Sequence, residues 1–475
     1  MSIKCVSHLA HLIFPKEGKM RFNEEDIKYL AVELPDEIKH YKYSADFASE
    51  QRMVAEYLKK EELPTAMRRR LEIEYVISGQ MQRDYRMTEE ELLRRVQEKY
   101  PHCTAEALCA IVDEGYADYI LRGGEKYFQR SAVRSVTSRK WRYLASLAGG
   151  EMPAYTRDKW RAECIPIMKK HGFRAVRYTV REWIAPAERE VREGEVLRVH
   201  LPFPCECPEQ SDIVLHHSSH PVYISSSAHR TAFIETECRA GEKYEVEFSY
   251  TFRVNYVKAQ ENAVSAEQPS FYTGEQYPHI RFTPYIRELA DEIRGNEKNP
   301  LVLARRAYDY VTTKTVYSLL RPYLCIENIP EFVLLQGRGD CGAMALTFIT
   351  LCRAMGVPAR WQSGSNVRPD AISSHDWAQF YIAPYGWLYA DLSAGEGAYR
   401  NGDFELWEHY FGNIDTMREV NCTEFQAAFD PPKRFMRADP YDNQSGELEY
   451  ADRGLILDGV NAGRSVVDFE DLTDG

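Results

Sequence analysis

The sequence predicts an α+β protein in which an N-terminal helical module and a β-sandwich precede a third region of mixed helices and strands. Apolar residues recur at spacings of three and four from residue 24 to about residue 148, with charged residues between them, as in amphipathic helices. The apolar period changes to two between about residues 175 and 257, which is typical of half-buried strands. Helical patterns return at residue 284 and are followed by further strands.

The composition is that of a folded protein with room for about three domains. The chain has 475 residues, of which 44% are hydrophobic and 28% charged. Its 72 Asp and Glu exceed its 60 Lys and Arg, for a formal net charge of −12, which argues against a general affinity for nucleic acid or an anionic membrane. We expect a helical module over 1–150, a sandwich over 175–258, a third domain over 275–440 and an acidic tail over 441–475 that lies on the surface.

The helical module contains a recognisable helix start. Thr88 is followed three residues later by Glu91, a capping box that opens a helix to about Lys99. A second helix over 104–114 and a hairpin around Gly123-Gly124 follow. This order fits a winged-helix unit. Because the chain is acidic, we expect this unit to pack against the core or to cover a substrate, and not to bind nucleic acid.

The chain offers no targeting, metal or cofactor pattern. Its start lacks a signal-like apolar segment, so we expect a cytoplasmic protein. Eleven scattered cysteines are not a disulfide framework, so reduced thiols are expected. Three sets have suggestive residue types but lack zinc-site spacing, and we expect no metal at any of them: Cys5, His8 and His11; Cys205 and Cys207; and His216, His217 and His220. No phosphate-binding glycine loop appears.

The segment around Cys341 carries the clearest chemical pattern. The loop 337–340 leads into Cys341 at the start of a long apolar helix, which Gly356 and Pro358 end. The macrodipole and free N–H groups at a helix start stabilise a thiolate, so we expect a lowered pKa for Cys341, and the same N–H groups can hold an oxyanion. Cys352, on the apolar side of the same helix, is expected to be an ordinary core thiol.

A base and an orienting acceptor follow downstream. His375 opens one predicted strand and Asp391 ends the next, with the turn near Tyr385 between them. In such a hairpin both side chains fall toward the open end and can meet. A thiolate nucleophile needs a base, and the base needs an acceptor that orients it.

These motifs resemble the core of the transglutaminase-like superfamily, a group of papain-related thiol enzymes, and the domain arrangement is similar to bacterial multidomain members. The shared motifs are Gly339-Asp340-Cys341, Gly356-Val357-Pro358-Ala359-Arg360, His375-Asp376-Trp377 and Gly386-Trp387 with Asp391. The resemblance covers about residues 283–394 and implies a papain-like α+β core. It implies Cys341 as nucleophile, His375 as general base and then acid, and Asp391 as the residue that orients the imidazole.

Other family features are less fully matched. The usual Pro-Thr after the aspartate is Leu392-Ser393 here. The family's second oxyanion donor has two candidates upstream of the cysteine, Gln336 and Tyr317. Segments 410–418 and 439–444 resemble a C-terminal extension of bacterial relatives, and we expect their aromatic, amide and Arg groups to line a substrate cleft.

Three functions fit these residues. The first is a cysteine-dependent hydrolase that cleaves a peptide or small amide through a thioester, with the extra domains restricting access. The second uses the same thioester for glutamine γ-glutamyl transfer to an amine or for deamidation; the lack of a calcium-loop pattern weakens a calcium-activated crosslinker. The third is a catalytically silent binding scaffold, which the presence of all three catalytic residue types disfavours. The sequence leaves substrate identity and oligomeric state open.

Overall fold

Residues 25–437, 441, 444–455 and 457–474 are described by a computed structural model of the chain. Helices and several sheets alternate along it, so the predicted α+β class is confirmed. The Cys5, His8 and His11 set lies outside the described residues, as do Asp439, Pro440, Asp442 and Asn443 of the expected cleft lining. No helix in the described ranges is long and apolar enough to cross a membrane.

Three helices form the first part of the N-terminal module: α1 (Asp36–Tyr43), α2 (Phe47–Leu58) and α3 (Thr65–Asp84). The Asp46 carboxylate caps α2 by accepting the Ser49 N–H. Lys42 Nζ lies 2.9 Å and Arg70 Nη2 lies 3.1 Å from Glu327 Oε1 in the third region. These ion pairs join the helical module to the core.

The second part of the module is a mixed unit of β1 (Tyr85–Met87), α4 (Glu89–Gln97), α5 (Ala105–Asp113), β2 (Tyr119–Arg122), β3 (Glu125–Gln129), α6 (Ala132–Arg139) and α7 (Trp141–Ser146). The strands form a sheet in the order β1-β3-β2. Thr88 Oγ1 accepts the Glu91 N–H at 3.2 Å, so the predicted cap is present. Both helices and the hairpin lie close to their predicted positions, and the winged-helix assignment stays a prediction.

The sandwich begins after α8 (Lys159–His171) with β4 (Phe173–Pro186), β5 (Val196–Pro202), β6 (Gln210–Ser218), β7 (Tyr223–Ile224), β8 (Thr231–Glu237) and β9 (Tyr244–Asn255). Alternate residues of β4 and β9, such as Val180 and Phe248, are fully buried, which is why the sequence period is two. Two sheets result, and each is completed by strands from the end of the chain.

The third region contains α9 (Pro284–Arg294), α10 (Pro300–Lys314), β10 (Val316–Tyr317), α11 (Ile329–Gln336), β11 (Arg338–Gly339), α12 (Cys341–Ala354), β12 (Ala359–Arg368), β13 (Ala371–Ile382), β14 (Gly386–Ala390), α13 (Leu392–Arg400), α14 (Phe404–His409), β15 (Phe411–Gly412) and β16 (Arg418–Cys422). Its sheet has the order β15-β14-β13-β12-β16. Ala378 and Phe380 of β13 pack with the apolar helix α12 on one face of this sheet. Trp377 and Val367 pack with the sandwich on the other face.

The segment expected to be an acidic tail, 441–475, instead contributes β17 (Glu447–Glu449), β18 (Gly454–Leu455) and β19 (Val460–Asp471). The sandwich sheets are β18-β17-β5-β8-β7 and β19-β4-β9-β6. The prediction of a separate tail is therefore wrong for the described part of this segment. Some acidic residues of this segment pair with basic residues of a neighbouring strand, as Asp471 does with Arg174 at 3.0 Å. Strand β19 lies at the edge of its sheet and has few apolar residues, so its sequence shows no clear apolar period of two.

Candidate active site

The nucleophile candidate Cys341 is the first residue of α12. The preceding strand β11 pairs in parallel with β10, with Gly339 opposite Tyr317. Asp340 is the N-cap, and its carboxylate accepts the Ala343 N–H at 3.1 Å. These local contacts hold the half-buried Cys341 at the helix start, as the sequence predicts.

The thiol of Cys341 contacts a carboxylate. Its Sγ donates to Asp376 Oδ2 at 3.3 Å. Burial raises the pKa of Cys341 well above its usual value, and the negative charges of Asp376 and Asp340 raise it further. The expected lowering of the Cys341 pKa by the helix start is therefore wrong for this arrangement, because burial and two carboxylates outweigh the helix dipole.

His375 and Asp391 meet as the hairpin argument predicts. Strand β13 begins at Ala371, so His375 lies inside the strand and does not open it as predicted. Strands β13 and β14 pair with Ala378 opposite Ala390, which brings the end of β14 close to His375. His375 Nε2 lies 2.7 Å from Asp391 Oδ2. Burial favours the neutral acid, but the positive charges of His375 and Arg418 outweigh it and hold the pKa of Asp391 well below its usual range. Burial lowers the pKa of His375, which Asp391 partly offsets.

No hydrogen bond joins Cys341 to His375 in the part of the chain that the structure describes. Consecutive side chains of a strand point to opposite faces, so His375 lies on the face of Trp377 and Asp376 on the face that packs against α12. The thiol therefore contacts Asp376, the residue next to His375. With Nε2 bound to Asp391, Nδ1 is the ring nitrogen left to take a proton.

Arg418 contacts the candidate site in a way that its sequence position did not predict. It was expected to line a cleft, but it is fully buried and binds Asp391 Oδ2 at 2.8 Å and Asp415 Oδ2 at 2.9 Å. Its guanidinium also lies 5.3 Å from the ring centre of Trp377. Arg418 thus fixes the carboxylate that orients His375. No local pattern could have revealed this contact, because β12 and β13 separate β16 from β14 in the sheet.

The remaining residues of the expected cleft lining divide into two groups. Tyr410 and Asn413 are buried, with the Tyr410 hydroxyl bound to Asp415 and the Asn413 amide bound to the Val257 backbone, so they line no cleft. Gln444 does reach the site. Its Nε2 donates to Asp376 Oδ1 at 2.6 Å and to the His375 carbonyl at 3.3 Å.

The two candidates for the second oxyanion donor lie in different surroundings. Tyr317 is adjacent to Gly339 in the β10–β11 pair, and the guanidinium of Arg139 lies 3.4 Å from its ring centre. Burial raises the pKa of Tyr317, and so does the charge of the Cys341 thiolate. Gln336 is exposed at the end of α11, where it lines a cavity of about 460 Å³ between the helical module and the core. The second oxyanion donor stays a prediction with both candidates.

The residues of the suspected metal motifs make other contacts. Cys205 donates to the Asn421 carbonyl at 3.0 Å, and His216 Nε2 lies 2.8 Å from the Ser249 hydroxyl. Among the described residues, no group of three or more His, Cys, Asp or Glu is arranged to hold a metal ion.

We expect Gly342→Ala to destabilise the protein by about 1–3 kcal/mol, because the added methyl overpacks the site. A Cβ there would lie 2.8 Å from both Asp376 Oδ2 and Trp361 Cη2. Urea denaturation measures the change. Gly397→Ala in α13 is the matched control, because its Cβ would meet nothing within 4 Å. Equal stabilities for the two variants would contradict this close packing.

Comparisons with known proteins match part of the third region to one superfamily. Residues 287–392 match the model of the transglutaminase-like superfamily, and this range holds Cys341, His375 and Asp391. An uncharacterized protein of Haemophilus influenzae is 27% identical over 138 residues, which take in 24% of this chain and 37% of that protein. The chain thus matches little more than a third of that relative's length.

Two solved structures are also similar. One is a proposed cysteine protease from Cytophaga hutchinsonii, with 11% identity, a TM-score of 0.38 and coverage of 63% of this chain and 91% of that one. The other is the periplasmic domain of TgpA from Pseudomonas aeruginosa, with 13% identity, a TM-score of 0.28 and coverage of 52% and 95%.

Proposed function

Because residues 287–392 form a transglutaminase-like core, we propose that this chain is a cysteine-dependent hydrolase that cleaves peptide or amide bonds through a thioester on Cys341. One observation carries the proposal. His375 and Asp391 are joined at 2.7 Å. The residue next to His375, Asp376, contacts the Cys341 thiol at a helix start. This is the nucleophile, base and orienting acceptor that thiol acyl transfer needs.

The proposed chemistry proceeds in two steps. The first step requires the His375 ring to turn from the face of Trp377 toward α12. There its Nδ1 takes the Cys341 proton as the sulfur attacks the carbonyl carbon, and N–H groups at the start of α12 stabilise the oxyanion. The C–N bond breaks, and the leaving amine takes its proton from His375. Water, deprotonated by His375, then attacks the thioester carbonyl carbon. The C–S bond breaks, the acid is released, and the Cys341 thiolate takes the proton back from His375. Asp391, fixed by Arg418, stabilises the imidazolium in both steps.

The proposed substrate is a peptide or small amide. The helical module contacts the strand that leads to Cys341, because Asp118 binds Arg321 at 2.8 Å and Arg338 at 3.3 Å. The sandwich covers the sheet face opposite α12. The helical module leaves less room around Cys341 than an isolated core would, which favours a small substrate over a folded protein.

A peptide-cleavage assay tests the proposed hydrolase. The purified chain is incubated with a mixed peptide library, and new termini are identified by mass spectrometry. We expect cleavage that falls at least about 1,000-fold in Cys341→Ala and His375→Ala. Cys109→Ala is the matched control, since this thiol lies on α5 of the helical module.

Other outcomes would overturn the proposal. Cleavage that persists in Cys341→Ala would place the chemistry elsewhere. Products that carry an added amine instead of water would support the glutamine transferase. Absence of any Cys341-dependent product would favour the binding scaffold.

A further inference from the structure

Asp376 has a position that the proposed reaction does not use. Its carboxylate is 5% exposed and faces the start of α12. Oδ2 accepts the Cys341 thiol at 3.3 Å, while Oδ1 is held by the Gln444 amide at 2.6 Å. The side chain is therefore fixed in orientation, with one oxygen directed at the nucleophile.

This contact opposes the chemistry of the free site. A thiol that donates to a carboxylate keeps its proton, and the charges of Asp376 and Asp340 add to burial in raising the pKa of Cys341. Asp340 is occupied as the N-cap of α12 and by the Tyr323 hydroxyl. A positively charged substrate group that takes over Oδ2 would release the thiol from this hydrogen bond.

We propose that Asp376 binds a positively charged amino group of the substrate, carried on the carbon next to the scissile carbonyl. This inference rests on the proposed hydrolase. The substrate class is then a peptide or amide with a free α-amino group at its N-terminus, from which the chain removes the first residue.

The geometry fits this class. An α-amino nitrogen is two bonds from its carbonyl carbon, so a carbonyl in contact with Cys341 Sγ brings its ammonium to the oxygen that lies 3.3 Å from that sulfur. The ammonium replaces the thiol as the partner of Oδ2, and Gln444 keeps Oδ1 in place. The displaced thiol loses its carboxylate partner, and the added positive charge favours the thiolate. Binding of the correct substrate thus activates the nucleophile.

A charged thiol reagent tests the site without any substrate. The probes are 2-aminoethyl methanethiosulfonate, a cation, and neutral methyl methanethiosulfonate. The Cys341 thiolate attacks the sulfenyl sulfur, a disulfide forms and methanesulfinate leaves. Mass spectrometry gives the rate at which each reagent labels Cys341. The rate with the cation is divided by the rate with the neutral reagent. This ratio is then divided by the same ratio for glutathione, which corrects for the intrinsic reactivity of the two reagents.

We expect a corrected ratio of about 10 to 100 in the wild type, the range for a hydrogen bond to a charged group. It should fall to about 1 in Asp376→Asn and persist in Asp376→Glu. Asp370→Asn, in the exposed turn between β12 and β13, is the control that should keep the wild-type ratio. An unchanged ratio in Asp376→Asn, with an unchanged melting temperature, overturns the amine site.

A substrate pair then tests the class. Aminoacyl-7-amino-4-methylcoumarins with a free α-amine are compared with their N-acetyl forms. We expect kcat/KM at least about 10-fold higher for the free amine in the wild type, and equal values in Asp376→Asn. Equal cleavage of both forms by the wild type overturns the inference and leaves the hydrolase standing. A reagent ratio that depends on Asp376, without cleavage of either coumarin, supports the amine site and counts against the hydrolase.

Discussion

Arg418→Met should lower the free energy of unfolding by about 3–5 kcal/mol, because it removes one partner of a buried charge cluster. Arg418 is fully buried between Asp391 and Asp415, which are also buried. Burial favours the neutral acid, but the Arg418 charge prevails and lowers the pKa of Asp415 to about 2. Without the guanidinium, each buried carboxylate loses a positive partner. Asp391 is left with His375 at 2.7 Å, and Asp415 with Arg161 at 3.8 Å.

Urea denaturation at pH 7 measures this effect. Arg177→Met is the matched control, since Arg177 pairs with Glu470 on the surface of β4 and β19 and should change stability by less than about 1 kcal/mol. Adding Asp415→Asn to Arg418→Met should recover part of the loss, because it removes one of the stranded charges. A loss no larger than that of the control would mean that Arg418 does not hold this cluster together.

Glu419→Gln should stabilise the protein by about 1–3 kcal/mol above pH 7 and leave it nearly unchanged at pH 4. Glu419 of β16 and Glu182 of β4 are buried between the core sheet and the sandwich. Burial raises the pKa of Glu419 to about 7, and the positive charge of Arg464 keeps the pKa from rising further. Burial also raises the pKa of Glu182 well above its usual value, and the charge of Glu419 adds to this shift.

The sign follows from these raised pKa values. A carboxyl group whose pKa is raised in the folded state binds a proton on folding, so its stabilising effect is complete below its unfolded pKa of about 4.5. That effect is lost as the pH rises toward 7, where Glu419 ionises, while glutamine keeps a neutral group throughout.

Thermal unfolding followed between pH 4 and 8.5 checks this prediction. The difference between Glu419→Gln and the wild type should grow with pH above about 4.5. Glu193→Gln, at an exposed position before β5, should give a difference that does not depend on pH. If the stability difference between Glu419→Gln and the wild type did not change with pH, the Glu419 carboxyl group would ionise normally in the folded state.

The elements of the candidate site that depend on neighbouring residues could be predicted from the sequence. Cys341 lies at the start of a helix because Asp340 caps that helix, and His375 meets Asp391 because a short hairpin fixes its own register. Thr88 caps its helix for the same local reason. Patterns of this kind act over a few residues, so their outcome can be inferred from residue type and spacing.

Contacts between distant segments were decided only by the tertiary structure. The packing of α12 on one face of β13 puts Asp376, and not His375, in hydrogen-bond contact with the thiol and reverses the expected direction of the Cys341 pKa. Pairing of β19 with β4 turns an acidic segment into a sandwich strand, and sheet order brings Arg418 to Asp391. Burial and charge act through space, so they depend on which faces meet, and spacing along the chain does not encode which faces those are.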